Sequence, residues 1–158
     1  MLTALHFFTH VGLSWIVANL ARLSTKDRWL VVLAGVVLDL DGVGVLWSER
    51  AYLLTHRTIG HSLLFGLLVS VLAMLLADTR RRAGVLAAAA FLLHLALDVV
   101  GTGGVPIHFL WPLSGWAWTY DGHWVLTSWQ NALVMALTLG GVLLIAWRTR
   151  RRSAAAPG

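Results

Sequence analysis

The sequence predicts an all-α integral membrane protein: a bundle of about five transmembrane helices with an outer interfacial segment rich in Trp, Gly and Pro. Three observations predict it. Of the 158 residues, 58% are hydrophobic and only 12% charged, against about 25% charged in a soluble domain, so the chain lacks the residues for a solvated surface. The apolar residues gather in five runs, at 4–21, 29–47, 62–77, 85–100 and 130–147, each close to the roughly 20 residues of a spanning helix. The basic residues lie between alternate runs, as the positive-inside rule requires of a multi-pass protein.

The first run follows "MLTALHFFTH", which has no basic n-region and no small-residue cleavage site, and reads as a retained span. Trp29 and Trp47 bracket the second run, and Trp129 and Trp147 the fifth, marking the depth at which indole prefers the headgroups. The third and fourth runs are the shortest and suit less tilt or a thinned bilayer. Arg22, Lys26 and Arg28 follow run one, Arg80, Arg81 and Arg82 follow run three, and Arg148, Arg150, Arg151 and Arg152 follow run five. With five spans these clusters share one side, leaving Arg50 and Arg57 on the other, so the N-terminus is expected outside and the C-terminus in the cytoplasm. Between runs four and five, 101–128 carries Gly, Pro and four Trp; it is too broken for a span and too aromatic for a free loop. Residues 1–150 are expected to form one domain and 151–158 a disordered basic, Ala-rich tail. The net charge of +5 invites a nucleic-acid reading, but the arginine clusters are short, abut apolar runs and lack interleaved aromatics. No direct nucleic-acid binding is expected; a cytoplasmic protein partner would use those clusters.

Ionisable groups inside a span are costly unless paired, liganded or buried in protein. Here they fall on one side: His10 in run one, Asp39 and Asp41 at the outer end of run two, His56, Arg57 and His61 in "THRTIGHS", and His94 and Asp98 in run four. His94 and Asp98 are spaced i, i+4 and share a helix face, so both can ligate one ion. Asp39 and Asp41 are i, i+2 and converge only if the backbone leaves the α-helix, for which Gly42 and Gly44 provide the occasion. Thr58 suits the N-cap of run three. With no cysteine, any metal must be held by histidine and carboxylate. His6, near the interface, is expected to be a packed, hydrogen-bonded residue; His108 and His123 read as solvated loop residues, and Asp27, Glu49 and Asp78 as loop charges. A hydrogen-bond network between helices and the proton relay of a transporter are the competing readings of the set.

At these residues the chain resembles the YdjM-like family of bacterial inner-membrane proteins, described as LexA-binding and as metal-dependent hydrolases. "THVGLS", "LDLDG", "HRTIGHSLL" and "HLALDVVGTGGVPIHFLWP" are similar, in order, to its elements. Leu38 and Gly42 stand where the family's second element has Pro and His, and Thr58 and Gly60 where its third has Gly and Thr. A fainter similarity links the family to the zinc-dependent phospholipase C and single-strand nuclease superfamily. The resemblance implies a membrane-bound hydrolase, acting on a phosphate ester of a lipid or other amphiphile through metal-activated water at the outer face. The expected metal ligands are His10, Asp39, Asp41, His56, His61, His94 and Asp98. Asp39, Asp41 and His56 are also candidates for catalysis, and Arg57 for holding the anion. Zn2+ suits this donor set, with Mn2+ or Fe as alternatives. The other functions open to the same residues are metal or proton transport and metal-dependent ester or amide hydrolysis.

Overall fold

A computed structural model describes residues 2–154. It contains α1 (Leu2–Ala18), α2 (Thr25–Ala34), a 3-10 segment (Val37–Leu46), α3 (Glu49–Thr55), α4 (Leu63–Leu76), α5 (Arg80–Gly101) and α6 (Trp129–Ala154). The described residues hold no strand; one isolated bridge pairs Ile107 with Trp118.

The polarity of the bundle is that of a membrane protein. The α4 leucines 63, 64, 67, 68, 72, 75 and 76 are exposed, as are Leu133, Leu137, Leu143 and Leu144 of α6, whereas the buried set includes His10, Arg57, His61, His94 and Asp98. Water would penalise that outer surface, and hydrocarbon accepts it. Trp29, Trp47, Trp129 and Trp147 are all exposed. By length and composition α5 and the Trp129–Arg152 part of α6 are long and apolar enough to cross a membrane, and α2 with the 3-10 segment, bent by 53°, is either a third, broken span or a re-entrant loop. The other two apolar runs fold as α1, of 17 residues, and α4, of 14.

The helices alternate in direction, which places the site. Gly12 faces Thr138 and Gly141 faces Ile16, so α1 and α6 run parallel. Gly66 faces the Phe91 ring and Gly84 faces Met74, so α4 and α5 run antiparallel and lie close. One end of the bundle therefore gathers the start of α1, the 3-10 segment, α3, the end of α5 and segment 102–128. The other gathers the connections 19–24 and 77–79 and the end of α6. Between them lies an apolar layer of Val17, Ala18, Val31, Val32 and Ala90, beside Ala34, Ala73 and Ala87.

Four sequence expectations are corrected. The break that brings Asp39 and Asp41 together occurs at Gly35 and Val36, before the aspartates, where Gly35 lies pressed against Ser14 and Ala90. Ser62, not Thr58, caps α4, its hydroxyl accepting from the Phe65 amide. Residues 151–154 continue α6 where a tail is predicted; residues 155–158 lie outside the described residues. Asp27 is fully buried rather than a loop charge. Its carboxylate accepts from the Asp78 and Thr79 amides, both at 2.8 Å, and from the Thr79 hydroxyl. It thus ties α2 to the start of α5, whose own N-cap residue Thr79 makes no side-chain cap. Asp27→Ala strands three donors, each worth about 1–3 kcal/mol when buried without a partner. Partial access of water to the turn brings the expected net loss to about 3 kcal/mol, seen as a Tm in detergent lower by roughly 6–12 °C.

Candidate metal centre

Asp98, near the end of α5, is the hub. Its Oδ1 lies 3.2 Å from His6 Nε2 and 3.2 Å from His10 Nε2, both on α1. Its Oδ2 lies 3.1 Å from Arg57 Nη2, 3.1 Å from His61 Nε2 and 3.9 Å from His94 Nε2. One carboxylate thus meets five basic side chains from three parts of the chain.

Asp41 forms the second hub. In a 3-10 turn of three residues, residues two apart diverge by about 120° rather than the roughly 160° of an α-helix, so Asp39 and Asp41 reach different partners in one site. Asp41 takes His56 Nδ1 at 3.0 Å on Oδ1, and His61 Nδ1 at 2.9 Å and the Arg57 amide at 3.0 Å on Oδ2. Asp39 Oδ1 lies 3.5 Å from His94 Nε2. Gly60 packs against the Leu38 carbonyl and Asp41 Oδ2 with no room for a Cβ. Arg57 adopts φ 65°, a left-handed conformation costing a non-glycine residue about 1 kcal/mol. Its amide on Asp41 and its guanidinium on Asp98 and the Val105 carbonyl (3.1 Å) hold it there.

Segment 102–128 folds back over this loop. His108 donates its amide to the Arg57 carbonyl, Leu63 to Phe109, and Trp124 to Val100. His108 and His123 stay outside the cluster, though His108 Nδ1 is buried and His123 Nδ1 donates to the Tyr120 carbonyl.

The eight residues singled out from the sequence, His10, Asp39, Asp41, His56, Arg57, His61, His94 and Asp98, are thus all brought into one cluster. Two further residues join them, His6, hydrogen-bonded as expected, and Tyr52. His6 joins Asp98, and its signal was present: His6 and His10 are i, i+4, the same face-sharing interval as His94 and Asp98. Tyr52, stacked on His56 at 4.6 Å between ring centroids, had no signal beyond its neighbourhood.

Two triads can hold a cation, with donor atoms lying within 4.8 Å of one another: His6, His10 and Asp98, and Asp39, His61 and His94. His94 is the best prepared ligand. Its Nδ1–H donates to the Gly35 carbonyl at 2.8 Å, which leaves the Nε2 lone pair facing Asp39 and Asp98. That Nε2 is buried with no hydrogen-bond partner, and so are both ring nitrogens of His10. The two rings stack at 3.6 Å, a spacing that suits neutral imidazoles. Even with His61 counted as a cation between Asp41 and Asp98, three carboxylates face one guanidinium and one imidazolium, an excess of negative charge in a buried site that a divalent cation neutralises. The donor set, the His94 Nε2 and His10 nitrogens without hydrogen-bond partners, and the charge all fit a metal. Gly35→Val drives a side chain into Ser14 and Ala90, shifting the carbonyl that orients His94. The expected result is a loss of about 10–100-fold in metal affinity, the range for an outer orienting partner, read by competition against a chelator.

Fold and cluster together define a helical membrane protein with a buried histidine–carboxylate centre at one end of its bundle. The chain belongs to the YdjM inner membrane protein family, whose model matches residues 5–157, in keeping with the resemblance carried by the four motifs. It is an inner membrane protein. No curated protein and no solved structure matches it.

Proposed function

We propose that this protein is a membrane-bound metal-dependent hydrolase that cleaves a phosphate ester of a lipid or other amphiphile at the outer face of the membrane. The observation that carries the proposal is the buried His94 Nε2 and His10 ring nitrogens, without hydrogen-bond partners and close to carboxylates inside an apolar bundle. In this reading α1, the bent α2 pair, α4, α5 and α6 are five crossings, with the N-terminus outside and the C-terminus in the cytoplasm. Segment 102–128 lies along the outer headgroups. The alternating helix directions, and the gathering of the arginine clusters opposite the centre, support it.

A divalent metal, with Zn2+ first by donor chemistry and Mn2+ or Fe next, would supply Lewis acidity towards an attacking water and the phosphoryl oxygens. His6, His10 and Asp98 would hold one ion and Asp39, His61 and His94 another, with Asp98 Oδ2 lying beside His61 and His94 of the second triad. Asp41 orients His56 and His61, and His56, half-buried beside Tyr52, is placed to move a proton at Nε2. Arg57 lines the cavity with Nη1 and Nη2 engaged by Val105 and Asp98, and its Nε, which has no hydrogen-bond partner, is the donor left for a substrate anion.

The cavity beside the cluster has a volume of about 420 Å³ and mixes the polar His6, Asp39, Arg57 and Asp98 with Phe7 and Val105. A smaller, mainly apolar cavity of about 110 Å³ adjoins it at His6 and Leu126, lined by Leu97, Ala132 and Met135. A polar head beside an apolar groove suits an amphiphile. A relay through the membrane is less well supported. The layer of Val17, Val31, Val32 and Ala90 separates the cluster from the opposite end, and among the described residues it holds no ionisable side chain.

The test is hydrolysis by the purified protein in detergent. Release of phosphate or of an alcohol from a lipid phosphate ester, abolished by chelation and restored by Zn2+ or Mn2+, is the expected outcome. Metal or proton flux in proteoliposomes without turnover of any phosphate, ester or amide substrate would replace the hydrolase with a transporter.

A further inference from the structure

At the end of the bundle opposite the histidines, a cleft of about 610 Å³ is lined by Arg22, Arg28, Arg148 and Arg152 together with Leu20 and Ile145. Folding draws these arginines together from the α1–α2 connection, the first turns of α2 and the end of α6. Neither a carboxylate lining the cleft nor an ion pair to any of the four occurs among the described residues, and the buried Arg28 Nε has no hydrogen-bond partner. Helix dipoles account for part of the arrangement only. Arg148 and Arg152, at the C-terminal end of α6, are favoured there, but Arg28 near the N-terminus of α2 is disfavoured. Arg148 and Arg152, i, i+4 on one helix, also repel each other. An unneutralised set of four cations in one cleft calls for an anion.

The surroundings say which kind. Trp29 and Trp147, next in sequence to Arg28 and Arg148, are 60% and 50% exposed, and Leu20 is 70% exposed. Indole at this depth marks a headgroup zone, and the outer surface of α6 running away from the cleft is apolar. A ligand seated here would have a phosphate among guanidiniums and chains along α6. We propose that this cleft binds the phosphodiester headgroup of an anionic phospholipid, independently of any metal or hydrolysis at the other end. The four guanidiniums supply bidentate donors to the phosphate oxygens, and basic pockets between helices at a membrane surface are a recognised form of such a site.

The experiment is native mass spectrometry of the delipidated full-length protein with phosphatidylglycerol, phosphatidylcholine or inorganic phosphate. The expected result is retention of phosphatidylglycerol over phosphatidylcholine. Arg28→Gln/Arg148→Gln should weaken phosphatidylglycerol binding roughly 30-fold, about fivefold per charge, with metal content unchanged. Arg22→Gln/Arg152→Gln removes two exposed side chains without ion-pair partners, so it tests the same point if the first pair disturbs folding. Equal retention of the two lipids would overturn the proposal, as would a preference that survives both double variants. Displacement of the lipid by millimolar inorganic phosphate would reassign the cleft to a free anion and overturn the lipid assignment.

Discussion

Asp98→Asn is expected to strip the centre of metal and to abolish the proposed hydrolysis. The amide keeps the volume of the carboxylate but removes the charge that His6, His10, Arg57 and His61 converge on. Outer partners of metal ligands are worth about 10–100-fold in affinity, and a shared ligand is worth more, so metal affinity should fall by more than about 100-fold. Stability should fall as well, because removing one partner of a buried ion pair costs about 3–5 kcal/mol. The measurement is metal content and thermal unfolding of the variant beside wild type in one detergent. Metal retained at the wild-type level would remove Asp98 from the centre.

Asp41→Ala should have an effect of similar size by another route. Asp41 accepts from His56, His61 and the Arg57 amide, and so organises residues 55–62. Without it, the left-handed conformation at Arg57 loses the restraint on its amide and His61 loses the partner on Nδ1. The loop should open while the helices stay folded. Hydrogen exchange at residues 55–62 should then rise by about 10–100-fold, the factor that a local loss of about 1.4–2.8 kcal/mol allows, with α5 little changed. If exchange rises equally in α5, Asp41 is a pillar of the whole fold rather than of the loop.

Much of this could be read in the sequence, and the reasons differ by residue. His94 and Asp98 were legible because a helix places i and i+4 side by side. Their convergence with His10 and Asp41 followed from the positive-inside rule, which fixes the end of each apolar run before any contact is known. The position of the break in the second run was not legible. Gly42 and Gly44 looked like breakers, but the bend lies at Gly35, which is packed against Ser14 and Ala90, both distant in sequence. Asp27 looked like a surface charge for the same reason: its partners are 51 and 52 residues away. His6 was read as a packed, hydrogen-bonded residue, as its bond to Asp98 has it, but not as the i, i+4 partner of His10. Gly60, which departs from the family's usual Thr, turns out to sit where no Cβ fits against Leu38 and Asp41.

The central claim, a divalent metal held by the histidine–carboxylate cluster, is tested most directly by elemental analysis of the purified wild-type protein. The account predicts one to two equivalents of a transition metal per chain, zinc first, one for each triad of donors, with strong depletion in His94→Ala. Wild-type protein, purified without chelator and incubated with Zn2+, Mn2+ or Fe2+, that holds no stoichiometric metal would contradict it.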